Sequence, residues 1–442
     1  MIHPVSLVRL SAILVVLQTS WLSLAVHSDD WPQWRGPNRD GQWNETGLIK
    51  KFDKPQIPKK WSVKIGSGYS GPTVAEGRVL VMDRLTEPEQ VEQVLCFDEK
   101  TGKRLWKYTY ECEYRNVGYV AGPRSSVTID GERAYSIGTM GHLKCLNVKN
   151  GELVWQHDCD HEYRISEDKR MPIWGIAASP LIYKNLLIIH IGAVKASLVA
   201  FDKLTGKEVW RSLSDRAQYS SPILVNQAGS DVCVIWTGDN VVGVNPTTGK
   251  PYWQIPLKPR NMPIGVATPV THNQHLFVTS FYDGAMMVKL NSESPPSAKL
   301  VWRKVGRNER KTEAIHSIIS TPVFSGNYIF GMDSYGEFRC IKALDGSRVW
   351  EDQTAVPKAR WSTIHFVENG DKTWMFNERG ELIIARLSSE GFEEISRAKL
   401  IEPTLKQLRQ RKGVCWSHPA FANQCIFARN DFELVCADLS AK

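Results

Sequence analysis

Apolar residues alternate with a period of two in many short segments, such as "RVLVMD" at 78–83, "LLIIHIG" at 186–192, "HLFVTS" at 275–280 and "YIFGMD" at 328–333. The segments are rich in β-branched and aromatic residues, and a helix would space its apolar positions three to four apart. Each therefore reads as a short strand. Between them a second pattern recurs: "DKLTGKEVW" ends at Trp210, "DEKTGKRLW" at Trp106, "NVKNGELVW" at Trp155, "NPTTGKPYW" at Trp253 and "KALDGSRVW" at Trp350, with a looser "NSESPPSAKLVW" at Trp302. An acidic or polar turn-former, a Thr-Gly corner and a strand ending in an indole make up the pattern.

With Trp61 included, the tryptophans stand at intervals of 45, 49, 55, 43, 49 and 48 residues. A period of this length marks a repeat architecture. A second marker runs in phase: "GYSGPTV", "PRSSVTI", "AASPLI", "YSSPIL", "VATPVT", "ISTPVF", "WSTIHF" and "WSHPAF". One unit thus holds four strands: the Ser/Thr-Pro strand, an apolar strand, the strand before the turn and the tryptophan strand. Repeated eight times, such units predict an all-β, eight-bladed β-propeller of four-stranded antiparallel blades, with a solenoid as the alternative.

Pro72, Pro180, Pro222, Pro269, Pro322 and Pro419 are expected within the first strands, which proline would confine to a sheet edge facing the channel. Trp61, Trp106, Trp155, Trp210, Trp253, Trp302 and Trp350 are expected to join blade to blade. The last unit, "ELVCADLSAK", ends after its third strand, while "KKWSVKI" at 59–65 is a tryptophan strand with no strands before it. The N-terminal strand is therefore predicted to complete the last blade and remove an open edge. The seventh unit carries "GFEEIS" in place of a tryptophan strand.

The 442 residues are 42% hydrophobic and 23% charged with a formal net charge of +8, a composition that excludes a disordered chain. The basic residues are scattered, so no nucleic-acid partner is expected. The apolar run of "MIHPVSLVRLSAILVVLQTSWLSLAVHSDD" reads as a secretory signal at 1–28, cut after Ser28, with a retained membrane anchor as the alternative. The reading places a leader at 29–58 and one propeller at 59–442, in a periplasmic or secreted protein with no transmembrane segment after cleavage. Of nine cysteines, Cys96, Cys145, Cys340 and Cys436 occupy one repeat position, where other units carry Ala200 and Gly243, and read as small core residues. Cys112 and Cys159 follow successive tryptophans, and a disulfide between them is an expectation.

"LVAFDKLTGKEVW" with "YSSPILV", and the preceding "WPQWRGPNRDG", resemble the quinoprotein-type (PQQ-like) propeller repeat proteins of bacteria, in particular exported propellers of planctomycete-like type. The resemblance spans roughly residues 59 to 439. It implies two branches: dehydrogenases that hold pyrroloquinoline quinone and calcium in the channel, and a non-enzymatic lipoprotein of the outer-membrane barrel-assembly machinery. The dehydrogenases typically stack the quinone on a disulfide of adjacent cysteines, and no adjacent cysteines occur here.

Channel-mouth candidates for ligand binding are Arg124, Trp174, Arg360, Trp361, Trp416 and His418, in or beside first strands, with His316 just before one. An arginine among aromatic rings suits an anionic planar ligand, although the same rings could simply fill the channel wall. "GSGYSG" at 66–71 matches GxGxxG, but a proline and a strand follow rather than a helix, so it reads as a turn. No catalytic or metal-ligating motif is found. The longest connections follow Trp106, Trp155, Trp302 and Arg397, all on one face, and the last is expected to contain a short helix with Leu405 and Leu408 on one side and Gly413 as its stop. The resulting expectation is a monomeric binding or scaffold protein of the envelope, docking envelope proteins through one loop-rich face, without a cofactor and without catalysis. The alternative is an alcohol or sugar dehydrogenase using pyrroloquinoline quinone and calcium.

Overall fold

The computed structural model describes residues 30–259 and 262–441, so the signal segment lies outside the described residues. Its strands form eight four-stranded antiparallel sheets. In blade 1 the order from channel to rim is Thr73–Ala75, Arg78–Leu85, Val91–Asp98 and Arg104–Glu111. Blades 2 to 7 repeat that order along the chain. Blade 8 takes three strands from the C-terminal end, Ala420–Ala422, Cys425–Arg429 and Glu433–Asp438, and its outer strand from Lys59–Lys64. Blade 7 has all four strands despite its missing tryptophan, the outermost being Gly391–Lys399.

The register explains both markers. In each tryptophan-bearing blade the indole stands directly opposite one residue of the third strand: Trp61 opposite Cys436, Trp106 opposite Cys96, Trp155 opposite Cys145, Trp210 opposite Ala200. A bulge follows the pair and increases the local twist. A small partner leaves room for the ring in every such blade but the fifth, where Trp302 stands opposite Met287. Blade 7 inverts the arrangement, with Ile384 opposite Ser396 beside the same bulge.

The indole then crosses to the next blade. Trp61, Trp106 and Trp155 donate Nε1–H to the carbonyls of Glu99, Val148 and Lys203, at 2.8, 2.9 and 3.1 Å. Those carbonyls belong to the turns of blades 1, 2 and 3. At Gly206, φ is +75° and an added Cβ would lie 2.7 Å from Trp155 Cδ2, so glycine serves both the left-handed corner and the incoming ring. Asp202 holds that corner by accepting from the N–H and hydroxyl of Thr205, at 2.9 and 2.8 Å.

Each proline of the second marker stands immediately before its inner strand rather than within it, because a residue without an N–H cannot begin the ladder that the following residues make. Ahead of the prolines, hydroxyls link neighbouring blades around the channel. Ser126 N–H donates to Ser179 Oγ and Ser179 N–H to Ser221 Oγ, both at 2.9 Å, and Thr268 N–H donates to Thr321 Oγ1 at 3.0 Å.

Two expectations are corrected. Residues 402–413 form turns, pinned by a Thr404–Val414 bridge, and not a helix; Leu408 is buried while Leu405 is exposed, so they do not share a face. Cys112 and Cys159 are both buried free thiols. The first faces Nδ1 of His142 at 3.7 Å, and the second begins the helical turn Cys159–Glu162 with its N–H on the Gly141 carbonyl. No helix of the described residues is long and apolar enough to cross a membrane.

Candidate functional site

Antiparallel blades place the blade-to-blade connections and the turns between second and third strands on one face of the disc, and the Thr-Gly turns on the other. The leader enters the channel from the Thr-Gly face, crosses that face, and then follows the outer strand of blade 7, where Gln56 bridges Lys399. Trp31 forms an antiparallel bridge with Val74, Pro32 O accepts from Ile129 N, Gln42 bridges Glu368, and Leu48 bridges Ser440. Trp31 and Trp43 are fully buried. Residues 30–58 are therefore part of the propeller and not a tether outside it.

Arg39 reaches deepest among the inner-strand markers. Its guanidinium donates to the carbonyls of Ser179 at 3.2 Å and Pro222 at 3.0 Å, and also to that of Pro180, while Nε–H donates to Gln33 Oε1 at 2.8 Å. An inner strand has a free edge, and Arg39 satisfies part of it. Trp34 Nε1–H donates to Thr268 Oγ1 at 2.8 Å, and its ring meets His418 edge-on at 5.2 Å. These two side chains close the channel from below.

Above them is a cavity of about 120 Å³ whose mouth opens on the connection face. Successive connections supply its walls: Tyr119, Trp174, Tyr219, Trp361 and Trp416. Trp174 and Tyr219 stack at 4.9 Å; the Tyr119 ring stands 5.3 Å from Trp174 and 6.1 Å from both Trp361 and Trp416. Tyr119 at φ +54° and Trp361 at φ +69° occupy the left-handed region, which costs bulky residues free energy and is a common mark of a binding site. Val120 and Ile173, 53% and 45% exposed, stand on the chain beside two of these rings.

Five of the seven sequence candidates, Arg124, Trp174, Trp361, Trp416 and His418, meet in this cup. Arg360 stands at its rim, 4.3 Å above the Trp361 ring and paired with Glu309 at 2.9 Å. His316 does not line the cup; it is buried, with Nδ1 3.1 Å from Phe281 O and its backbone N–H on Asp333. Tyr119, Tyr219 and the floor residue Trp34 were not among the candidates: Tyr219 opens the "YSSPIL" marker where Trp361 and Trp416 open theirs, so aligning the repeats could have found it, whereas Tyr119 and Trp34 lie outside the marker and only the closed ring brings them in.

The cup is electrostatically quiet. Arg124 is held by the carbonyls of Gly122, Gly118 and Tyr119 at 2.7, 2.7 and 2.6 Å, and by Thr139 Oγ1 at 3.1 Å. No acidic side chain lines it. Burial, together with His365 and Arg35, pushes His418 well below the usual imidazole pKa, so its ring is neutral. Among the described residues no group of three or more His, Cys, Asp and Glu is arranged to hold a metal ion.

Comparison with known proteins agrees with this architecture. BamB of Moraxella catarrhalis superposes with a TM-score of 0.58 at 15% identity, over 87% of this chain and 98% of that one. Outer membrane protein assembly factor BamB of Burkholderia pseudomallei (strain K96243) is 26% identical over 227 residues, which is 50% of this chain and 54% of that protein. Lupanine 17-hydroxylase [cytochrome c] of a Pseudomonas species is 24% identical over 244 residues, 52% of this chain and 31% of that protein. The chain thus spans between about a third and a half of these two curated relatives. The profile of the family described as outer membrane protein assembly factor BamB matches residues 51–171 and 92–352, more than half of the sequence, and the chain belongs to that family of PQQ-like repeat propellers.

Proposed function

We propose that the protein is a docking module of the bacterial envelope that receives a protein partner on its connection face, centred on the aromatic cup. The observation that carries this reading is the asymmetry of the channel. Its own leader plugs one end, with Arg39 on the inner-strand carbonyls, and the other end stays open as an apolar cup beside exposed Val120 and Ile173. Exposed apolar residues around a rigid concavity are what a protein interface uses. Kinship with an assembly factor of the outer membrane supports an envelope setting.

A quinone dehydrogenase is the second reading, favoured by relatives such as lupanine 17-hydroxylase. A quinone carrying carboxylates, with calcium, would need free cationic donors and a set of oxygen ligands. The cup offers one arginine, already held by four acceptors, and no carboxylate. These residues do not fit that cofactor pair, so no redox step is derived.

The test places a photo-activatable residue at Val120, at Ile173 or, on the opposite face, at exposed Leu344. Discrete adducts from the first two positions in intact cells, and none from the third, are expected. Adducts from Leu344 alone, or a rise in Tm with pyrroloquinoline quinone and calcium accompanied by alcohol-dependent dye reduction, would overturn the reading.

A further inference from the structure

The floor of the cup carries a hydrogen-bonding imbalance that the fold itself does not resolve. His418 is 4% exposed and lines the cavity. Its Nδ1 lies 2.6 Å from the Pro419 carbonyl, which can only accept, so Nδ1 carries the hydrogen. In a neutral ring Nε2 is then a bare acceptor, and it has no partner. On the wall, the Trp361 indole N–H is likewise buried and unpartnered. Buried polar atoms left unsatisfied are costly, and a ligand that completes them recovers that cost.

Size and charge narrow the ligand. An engineered apolar cavity of roughly 150 Å³ accepts a benzene ring. A cup of about 120 Å³ therefore matches one six-membered ring and is small for an indole. The walls present ring faces and edges, the surface against which another aromatic ring packs best. A cation is disfavoured: no acid lines the cup, and the charged side chain that does is Arg124.

We propose that the cup is a receptor for a single tyrosine side chain presented by the protein partner, its ring held among Tyr119, Trp174 and Trp361 and its hydroxyl donating to His418 Nε2. This assignment rests on the docking reading above. A phenylalanine would fill the same space and leave His418 unpaired, so the site discriminates at the tip of the ring.

The experiment titrates the intact protein with N-acetyl-tyrosinamide and N-acetyl-phenylalaninamide, read by calorimetry and by the rise in Tm. The tyrosine amide is expected to bind about tenfold more tightly, the effect of one satisfied buried acceptor. His418→Phe should abolish that preference. Should that variant not fold, Trp361→Leu should weaken both amides and reduce the preference. Equal affinity for the two amides, or binding of neither, overturns the proposal. Tighter binding of p-cresol than of the tyrosine amide marks a site for free phenols and overturns the assignment to a side chain. Rim adducts at Val120 without amide binding leave the docking reading standing and sink this one; amide binding without rim adducts removes the protein source of the ring.

Discussion

Trp253 lies against Gly243 so closely that a Cβ at Gly243 would stand 2.3 Å from the indole Cε2. The pair is the tightest form of an arrangement found in six of the seven tryptophan-bearing blades, a bulky residue on the outer strand facing a small one on the third; Trp302, which faces Met287, is the exception. Blade 7 solves the same packing problem the other way, with Ile384 and Ser396. Gly243→Ile alone is expected to destabilise by more than about 3 kcal/mol through overpacking, and Trp253→Ser by roughly 3–5 kcal/mol through the cavity it leaves. The double variant transplants the blade 7 pair and should lose clearly less than the sum. Urea melts of all four proteins give the coupling directly; strict additivity would mean that the two residues do not share one space.

Trp253 is also the indole that breaks the inter-blade rule. The next turn, "NSESPPSAKLVW", has no Thr-Gly corner, and Trp253 Nε1–H instead donates to Gln227 Oε1 at 3.0 Å. Gln227 passes the link on, donating to Asn291 Oδ1 at 2.8 Å and to Ser297 O at 2.5 Å. Gln227→Leu should therefore lower stability by about 2 kcal/mol, chiefly by stranding the indole N–H, since the Ser297 carbonyl keeps the Asn291 N–H. Gln227→Glu keeps one acceptor, loses both donors and should fall between the two.

Acid should weaken the fold well above the carboxylate range. Burial lowers the pKa of both His190 and His365 from 6.5 to about 4. The unfolded chain thus binds more protons between those values, so stability is fully present above pH 6.5 and is lost as the pH falls toward 4. Neither nitrogen of His190 has a partner. His190→Leu should remove its share of the loss, roughly 2 kcal/mol at pH 5, and leave a shallower pH profile in chemical denaturation. A profile identical to that of the parent protein would mean that His190 is protonated in the fold.

Arg39 makes a different kind of claim, because it ties an otherwise external segment to the channel. Arg39→Leu strands the carbonyls of Ser179 and Pro222, while that of Pro180 keeps the Thr128 hydroxyl, and should cost about 3 kcal/mol. Cleavage by limited proteolysis between residues 30 and 43 should become fast compared with the parent. Lys50→Ala, at an exposed position of the same segment, should leave the cleavage pattern unchanged.

The blades were legible in the sequence because their signals are local: a turn, a period-two strand and an indole fall within about ten residues, and the pattern repeats. The role of Cys96 and its equivalents as small core residues was legible too, but their reason, an indole on the neighbouring strand, needed the register. The leader was hidden for the opposite cause. Trp31, Trp34 and Arg39 answer to Val74, Thr268 and Ser179, partners far along the chain and unrelated in phase. The cup is intermediate. First-strand proximity found Trp174, Trp361 and Trp416, while Tyr119 stands in a connection whose path over the mouth has no local signature.

Ring closure is the step on which the cup depends, since the connection contributing Trp416 leads directly into the blade that the N-terminal strand completes. Lys59–Lys64 pairs antiparallel with Glu433–Asp438, and Trp61 both faces Cys436 and donates to Glu99 of blade 1. It therefore seals the last sheet and fastens it to the first. Trp61→Ala keeps the backbone ladder and should lose roughly 3–5 kcal/mol while unfolding in one transition. Removing residues 30–64 takes away the ladder, the indole and the channel plug together, leaving an unpaired edge on Glu433–Asp438. That protein should associate at micromolar concentration and lose a single cooperative calorimetric transition. A monomer that still melts in one step near the parent temperature would show that seven blades and three strands close without the N-terminal strand, and that the cup's geometry is set elsewhere.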